Sequence, residues 1–302
     1  MTLPDTSSTK GQSTISELSA RNADLMSQLE ERNTQLSALQ ATLMRSNSVP
    51  PSLDDRSIAS RFKQLEQELK DWIIIHFKST EQRPDLSPEL REILISQVPL
   101  FDRLLQQPRS RTMVLRAVAG HVIQKAFESG EFVGVGDGLV AMETGLGRHT
   151  SGAEFNKWRS QTFIMLSKAF TTESKAHVVT TISQRLDNLL SPFATTTSQP
   201  ERLHFLSRIV ESAATLSLDL GCQIAKFKVL SEPAEAQFRC AQMEDVYQEH
   251  ETHVDPHTGQ PVNALDGKTI QAVVFPSVIK WGTERGENYD EMKVLLKARV
   301  LA

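Results

Sequence analysis

The chain has 302 residues, of which 39% are hydrophobic and 23% are charged, and its formal net charge is −4. This balance is typical of a globular protein of one or two domains, and it disfavours bulk attraction to nucleic acid or to anionic lipid. Two cysteines are too few for a disulfide scaffold and no apolar run approaches a membrane span, so we expect a cytoplasmic or nuclear protein.

A heptad repeat follows a Ser/Thr-rich lead over residues 1–12, which we expect to be disordered. Over residues 13–45, side chains recur at alternating steps of three and four, the spacing that keeps one edge of a helix facing a partner. We call this edge the seam. Its positions hold Ile15, Leu18, Asn22, Leu25, Leu29, Arg32, Leu36, Leu39 and Leu43.

The seam predicts that the chain pairs with another helix, and Asn22 is its most informative member. A lone asparagine at such a position costs stability but sets the register and favours two strands. We therefore expect a homodimer or another coiled-coil partner. The alternative is that the linker over residues 46–57, which holds two prolines, lets the next helix fold back on this segment.

Residues 58–230 carry a succession of helical patterns that predict a multi-helix bundle. A stripe from Ile58 to about Lys78 forms the first helix, Ser87 caps the second, and Pro99 should interrupt it. Later helices are expected over residues 110–129, 153–170, 173–190 and 200–227. A glycine-rich connector over residues 130–152 separates the first of these from the others.

The pattern changes in residues 231–302, for which we predict a mixed loop and β region packed on the helical domain. Apolar and polar residues alternate over 292–300, which is typical of a half-buried strand, and the loop 282–290 would join this strand to an earlier antiparallel one. The predicted fold class is mainly α, with an N-terminal coiled coil, a bundle body and a small C-terminal antiparallel β hairpin or sheet.

Part of a two-Cys, two-His zinc finger is suggested by Cys240, His250, His253 and His257. Twelve residues separate Cys240 from His253 and three separate His253 from His257, both suitable spacings. A structural zinc site needs four donors, however, and the other cysteine of the finger is missing. We interpret the histidines as surface residues of a polar loop and expect no metal and no other cofactor.

The run from Gly134 to Gly138 invites comparison with nucleotide-binding loops. It lacks both the third glycine of the dinucleotide fingerprint and the Gly-Lys-Ser/Thr of the phosphate loop, so we interpret it as a flexible connector. Polar residues of this connector could still line an enzyme site: Asp137, Glu143, Arg148 and His149.

Four arginines, Arg103, Arg109, Arg111 and Arg116, gather near the start of the helix predicted over residues 110–129. We interpret them as a solvated charged face. The alternative is a patch that binds anions or an acidic partner.

The leucine-heptad head, the phrase RFKQLEQELKDW and the ending VVFPSVIKWGTERGENYDEMKVLLKARVL resemble a group of filamentous-fungal proteins. The resemblance covers residues 58–302. It implies a eukaryotic intracellular protein in which a variable coiled-coil or low-complexity head precedes a helical body. It implies no activity, cofactor or site residue.

No set of catalytic residues converges in this sequence, so an enzyme is disfavoured. The sequence predicts a non-enzymatic interaction or scaffold protein that self-associates through its N-terminal coiled coil, with no membrane segment. One alternative is a nucleic-acid-associated regulator that uses the arginine cluster or the degenerate finger. The other is an enzyme whose site lies near the connector at 130–152 or near the histidine loop.

Overall fold

The computed structural model describes residues 21–35, 52–77, 85–134, 136–147, 151–195, 198–247, 252–254 and 261–302. The chain divides into two compact units, Met1–Val49 and Pro50–Ala302. In the first unit, residues 21–35 form helix α1, and every residue of this helix is exposed within the single chain.

The second unit is mainly helical and ends in small β sheets, which confirms the predicted fold class at that level. None of the helices that the structure describes is both long and apolar enough to cross a membrane. The helices are α2 (Asp55–His76), α3 (Pro88–Gln97), α4 (Phe101–Leu104), α5 (Pro108–Glu128), α6 (Gly136–Gly147), α7 (Gly152–Ala169), α8 (Thr172–Leu190) and α9 (Gln199–Cys222).

Helix starts follow the local signals in the sequence. The Asp54 carboxylate accepts a hydrogen bond from the Ser57 N–H at 2.8 Å and caps α2. The predicted cap of α3 is confirmed, because the Ser87 hydroxyl accepts from the Leu90 N–H at 3.2 Å. Helix α3 ends two residues before Pro99, so the predicted interruption is also confirmed.

Helix α9 organises the bundle, since it packs against α2, α7 and α8. The predicted stripe of α2 is buried, because α2 lies against both α5 and α9. Trp72 is fully buried, and its indole nitrogen donates to the Arg202 carbonyl of α9 at 3.1 Å. The apolar face of α2 is therefore already buried inside this unit.

Two sequence predictions are wrong in this region. The supposed connector over residues 130–152 contains a 3₁₀ turn, Glu131–Val133, followed by helix α6. Gly130 and Gly134 flank the 3₁₀ turn and both have a φ of 69°, a left-handed conformation that glycine adopts without strain. The helix predicted to reach Phe227 ends earlier, at Cys222, and Phe227 lies in a strand.

The strands are β1 (Lys226–Leu230), β2 (Met243–Asp245), β3 (His253–Val254), β4 (Pro261–Val262), β5 (Ala272–Phe275), β6 (Ser277–Trp281), β7 (Met292–Leu296) and β8 (Ala298–Leu301). Among the described residues they form three sheets, with orders β1–β6–β7, β2–β8–β5 and β3–β4. Pairing of β6 with β7 across the loop 282–291 confirms the predicted antiparallel hairpin. The sheets are not wholly antiparallel, because β2 runs parallel to β8.

The alternating pattern over residues 292–300 is not one strand, as predicted, but two. A break at Lys297 separates β7 from β8, and a break at Pro276 separates β5 from β6. Strand β6 pairs with β7, and β5 pairs with β8. The segments 272–281 and 292–301 therefore form one long hairpin whose two halves belong to different sheets. Proline has no N–H to donate to a ladder, so the break falls where a hydrogen bond could not form.

Candidate functional site

Helix α1 carries the described part of the seam, namely Asn22, Leu25, Leu29 and Arg32. Leu25 is 51% exposed and Leu29 is 62% exposed, while Met26 beside them is 72% exposed. Large apolar side chains in solvent at heptad spacing form the kind of surface that a second helix covers. The other predicted seam residues lie outside the described residues: Ile15, Leu18, Leu36, Leu39 and Leu43.

Polar side chains of α1 form hydrogen bonds with other side chains of the same helix. Gln28 donates its amide to Asp24 at 2.9 Å, and Arg32 donates to the amide oxygen of Gln35 at 3.3 Å. These are contacts between neighbouring turns. Within the described part of the chain no carboxylate pairs with the Arg32 guanidinium, so a partner helix could engage it.

The four arginines that the sequence groups together do not form one patch. Arg116 is buried, and its guanidinium lies 3.0 Å from a carboxylate oxygen of Glu66, so the prediction of a solvated face is wrong for this residue. Arg299 approaches the same carboxylate at 3.4 Å. Arg111 donates to the Leu105 carbonyl at 2.8 Å. Both Arg116 and Arg111 are thus engaged by their own chain.

The remaining two arginines, Arg103 and Arg109, line a cleft of about 570 Å³ between the α4–α5 segment and the C-terminal β region. The Arg109 guanidinium lies over the Tyr247 ring, 4.4 Å from its centre. Part of the wall is apolar and one carboxylate, that of Glu235, also lines it. The lining of the cleft therefore combines two guanidinium groups with an apolar wall. Sequence reasoning missed Tyr247 because only the fold brings it to Arg109.

Cys240 belongs to a small apolar cluster and is 2% exposed. Its thiol donates to the Pro261 carbonyl at 3.1 Å, and its N–H donates to the Asp266 carboxylate at 2.8 Å. Burial raises the pKa of the Cys240 thiol, which disfavours the thiolate that a metal requires.

The zinc-finger hypothesis gains no support from these positions. His253 lies exposed on the short strand β3, whereas His250 and His257 lie outside the described residues. No group of three or more His, Cys, Asp or Glu side chains within the described ranges could hold a metal ion.

The structure describes the side chain of one of the four polar residues proposed for an enzyme site near the connector. This residue is Glu143 on α6, and burial raises the pKa of its carboxyl group. Arg148 and His149 lie outside the described residues. Glu143 alone makes no catalytic set.

Arg159 was not singled out by the sequence, yet it binds the chain just beyond the end of α9. It is 8% exposed and donates to the carbonyls of Gln223 at 2.9 Å and Ala225 at 2.7 Å. The neighbouring Ser160 hydroxyl donates to the Cys222 carbonyl at 2.6 Å. The last carbonyls of a helix have no donors in their own helix, so the Ser160 hydroxyl stabilises the end of α9, while Arg159 holds the carbonyls of the residues that follow it.

His76, at the end of α2, is a buried histidine that the sequence shows only as a member of an apolar stripe. It is 5% exposed, and neither ring nitrogen has a hydrogen-bond partner in the described structure. The Phe205 ring packs against it, and the charged groups around it are Arg202, Asp187 and Glu201. Burial lowers the pKa of His76, and the positive charge of Arg202 lowers it further.

Acidification is therefore expected to destabilise the protein in part through His76. Because the folded-state pKa lies below the ordinary value of 6.5, the unfolded chain takes up the proton first. The stabilisation from neutral His76 is complete above about pH 6.5 and is lost as the pH falls through the folded-state pKa.

The variant His76→Phe keeps a ring in this apolar place and removes the proton site. It should reduce the slope of unfolding free energy against pH by at most about 1.4 kcal/mol per pH unit, the limit for one proton. Urea unfolding of both proteins between about pH 5 and pH 7 measures the slope. Equal slopes for the two proteins would contradict this assignment.

Neither a protein-family model, nor a curated protein, nor a solved structure matches the chain. Functional inference therefore depends on the residues of this chain. Two surfaces stand out: the exposed seam of α1 and the cleft beside Arg103 and Arg109.

Proposed function

We propose that the chain is a non-enzymatic interaction protein that forms a homodimer through the seam of α1. The observation that carries this proposal is the exposure of Leu25 and Leu29 at heptad spacing on a helix. Coverage of each half-exposed leucine by a partner would contribute on the order of 1–2 kcal/mol. The free-energy cost of association exceeds what the burial of two such side chains per chain contributes. The proposed dimer therefore also needs the apolar seam positions that flank α1 in the sequence.

The rival hypothesis is that the heptad segment folds back on α2. The apolar stripe of α2 is already buried against α5 and α9, which leaves no comparable stripe for the heptad segment. Ile74 and Ile75 are exposed on α2, but adjacent residues point to different sides of a helix and do not make a seam. This favours a partner from a second chain.

The two other hypotheses have weaker support. A nucleic-acid role would use the arginine cluster, of which Arg111 and Arg116 are engaged within the chain. An enzyme site near residues 130–152 would need convergent polar groups, and Glu143 is the one described candidate there.

Sedimentation equilibrium of the full chain tests the proposal. We expect a dimer for the unchanged protein and a dissociation constant at least about a hundredfold higher for Leu25→Glu/Leu29→Glu, because charged side chains would enter the seam. Ser27→Glu/Thr34→Glu adds the same charge on the opposite side of α1 and should leave the dimer intact. A monomeric unchanged protein, or equal dissociation constants for the two double variants, would refute the proposal.

A further inference from the structure

The described part of the seam has a palindromic order, with two leucines flanked by two polar residues. Asn22, Leu25, Leu29 and Arg32 follow at steps of three, four and three. From this order we infer that the two copies of α1 pair antiparallel, with Asn22 of each chain beside Arg32 of the other. The inference rests on the proposed self-association and specifies its geometry.

In a parallel, in-register pair each seam residue meets its own copy. The two Asn22 side chains could then bond to each other, as in many two-stranded coiled coils. The two Arg32 guanidiniums would also meet at the seam. Like charges brought together and partly desolvated repel, and neither arginine could act as an acceptor for the other.

Consider an antiparallel pair whose twofold axis crosses the seam at the level of Ser27 along the helix. Each seam residue then meets the residue at the mirrored position. Leu25 then faces Leu29 of the other chain, and this apolar layer occurs twice. Asn22 faces Arg32, also twice. The amide oxygen of Asn22 accepts what the guanidinium donates, so both polar seam residues are satisfied by each other and no like charges meet.

Other features of α1 agree with this arrangement. Met26, 72% exposed, lies next to the axis and would pack against its own copy. Arg32 bonds only to the neutral Gln35 among the described residues, so it can turn towards a partner without breaking an ion pair.

The substitution Asn22→Asp in the full chain distinguishes the two orientations by the sign of its effect. In the antiparallel dimer the new carboxylate faces Arg32 in both layers, so the dissociation constant should fall at least about fivefold at low salt, and less at high salt. In a parallel dimer two carboxylates would meet, so the constant should rise. Ser27→Asp, on the outer side of α1, is the matched control and should leave it unchanged. An unchanged or higher dissociation constant for Asn22→Asp overturns the inference.

A cross-linking experiment gives a second readout. An Asn22→Cys chain mixed with an Arg32→Cys chain should form a disulfide between the two chains. Asn22→Cys alone should not, because ten residues of helix, about 15 Å, separate its two copies in the antiparallel pair. Efficient cross-linking of Asn22→Cys to itself overturns the antiparallel pairing while leaving the dimer proposal intact. A monomeric unchanged chain overturns both.

Discussion

Asp187→Ala is expected to lower the free energy of unfolding by about 3–5 kcal/mol. Asp187 is fully buried, and Arg202 of α9 is 6% exposed. The guanidinium meets the carboxylate through two contacts, at 2.8 Å and 3.2 Å, and Gln199 adds a third at 3.3 Å. Removal of the carboxylate leaves a buried positive charge without this counterion. The expected loss is a large fraction of the 5–15 kcal/mol by which a typical domain is stable against unfolding.

Urea unfolding followed by circular dichroism measures this loss, and two variants control for it. Arg185→Met removes an arginine of the same helix that pairs with Glu89 and lies 3.9 Å from Glu131. All three side chains are about half exposed, so the loss of unfolding free energy should stay below about 1 kcal/mol. Asp187→Leu/Arg202→Met removes both buried charges and should regain most of the stability. If the free energy of unfolding of Asp187→Ala lay within about 1 kcal/mol of that of the unchanged protein, the buried pair would not be the stabilising contact assigned here.

Gly221→Ala is expected to destabilise the protein by about 2 kcal/mol, although alanine is the better helix former. Gly221 lies in α9 under the ring of Phe163 from α7. A Cβ atom at this position would lie 2.0 Å from the Cδ1 and 2.4 Å from the Cγ of that ring. These carbons belong to a buried ring close to its attachment, so α7 and α9 would have to separate.

The matched control is Gly145→Ala on α6, where an added Cβ meets nothing within 4 Å. There the same substitution should stabilise the protein by about 0.5–1 kcal/mol, because it restricts the unfolded chain and favours the helix. We expect the two substitutions to change the free energy of unfolding in opposite directions, which thermal and urea unfolding can measure. A stabilised Gly221→Ala protein would contradict the close packing of α7 on α9.

The apolar stripe of α2 could be recognised in advance because its evidence is local, and the heptad seam predicted over residues 13–45 rests on evidence of the same kind. Side chains three and four residues apart share one side of a helix, so the leucines of α1 and the stripe of α2 are readable as periods in the sequence. The same holds for the cap at Ser87 and the interruption at Pro99. The orientation inferred for α1 also derives from the order of four residues along one helix.

For residues whose partners lie far along the chain, the tertiary structure decided the local conformation and the burial. Helix α9 stops at Cys222 because Arg159 of α7 binds the carbonyls beyond it and β6 supplies a partner for the next residues. Arg116, an ordinary surface arginine by sequence, is buried because Glu66 is brought to it. Hydrogen bonds and ion pairs depend on distance in space, whereas periodicity depends on distance along the chain. The sequence by itself therefore determined most of the helices and their apolar sides but missed α6, and only the fold decided where α9 ends and which charges are buried.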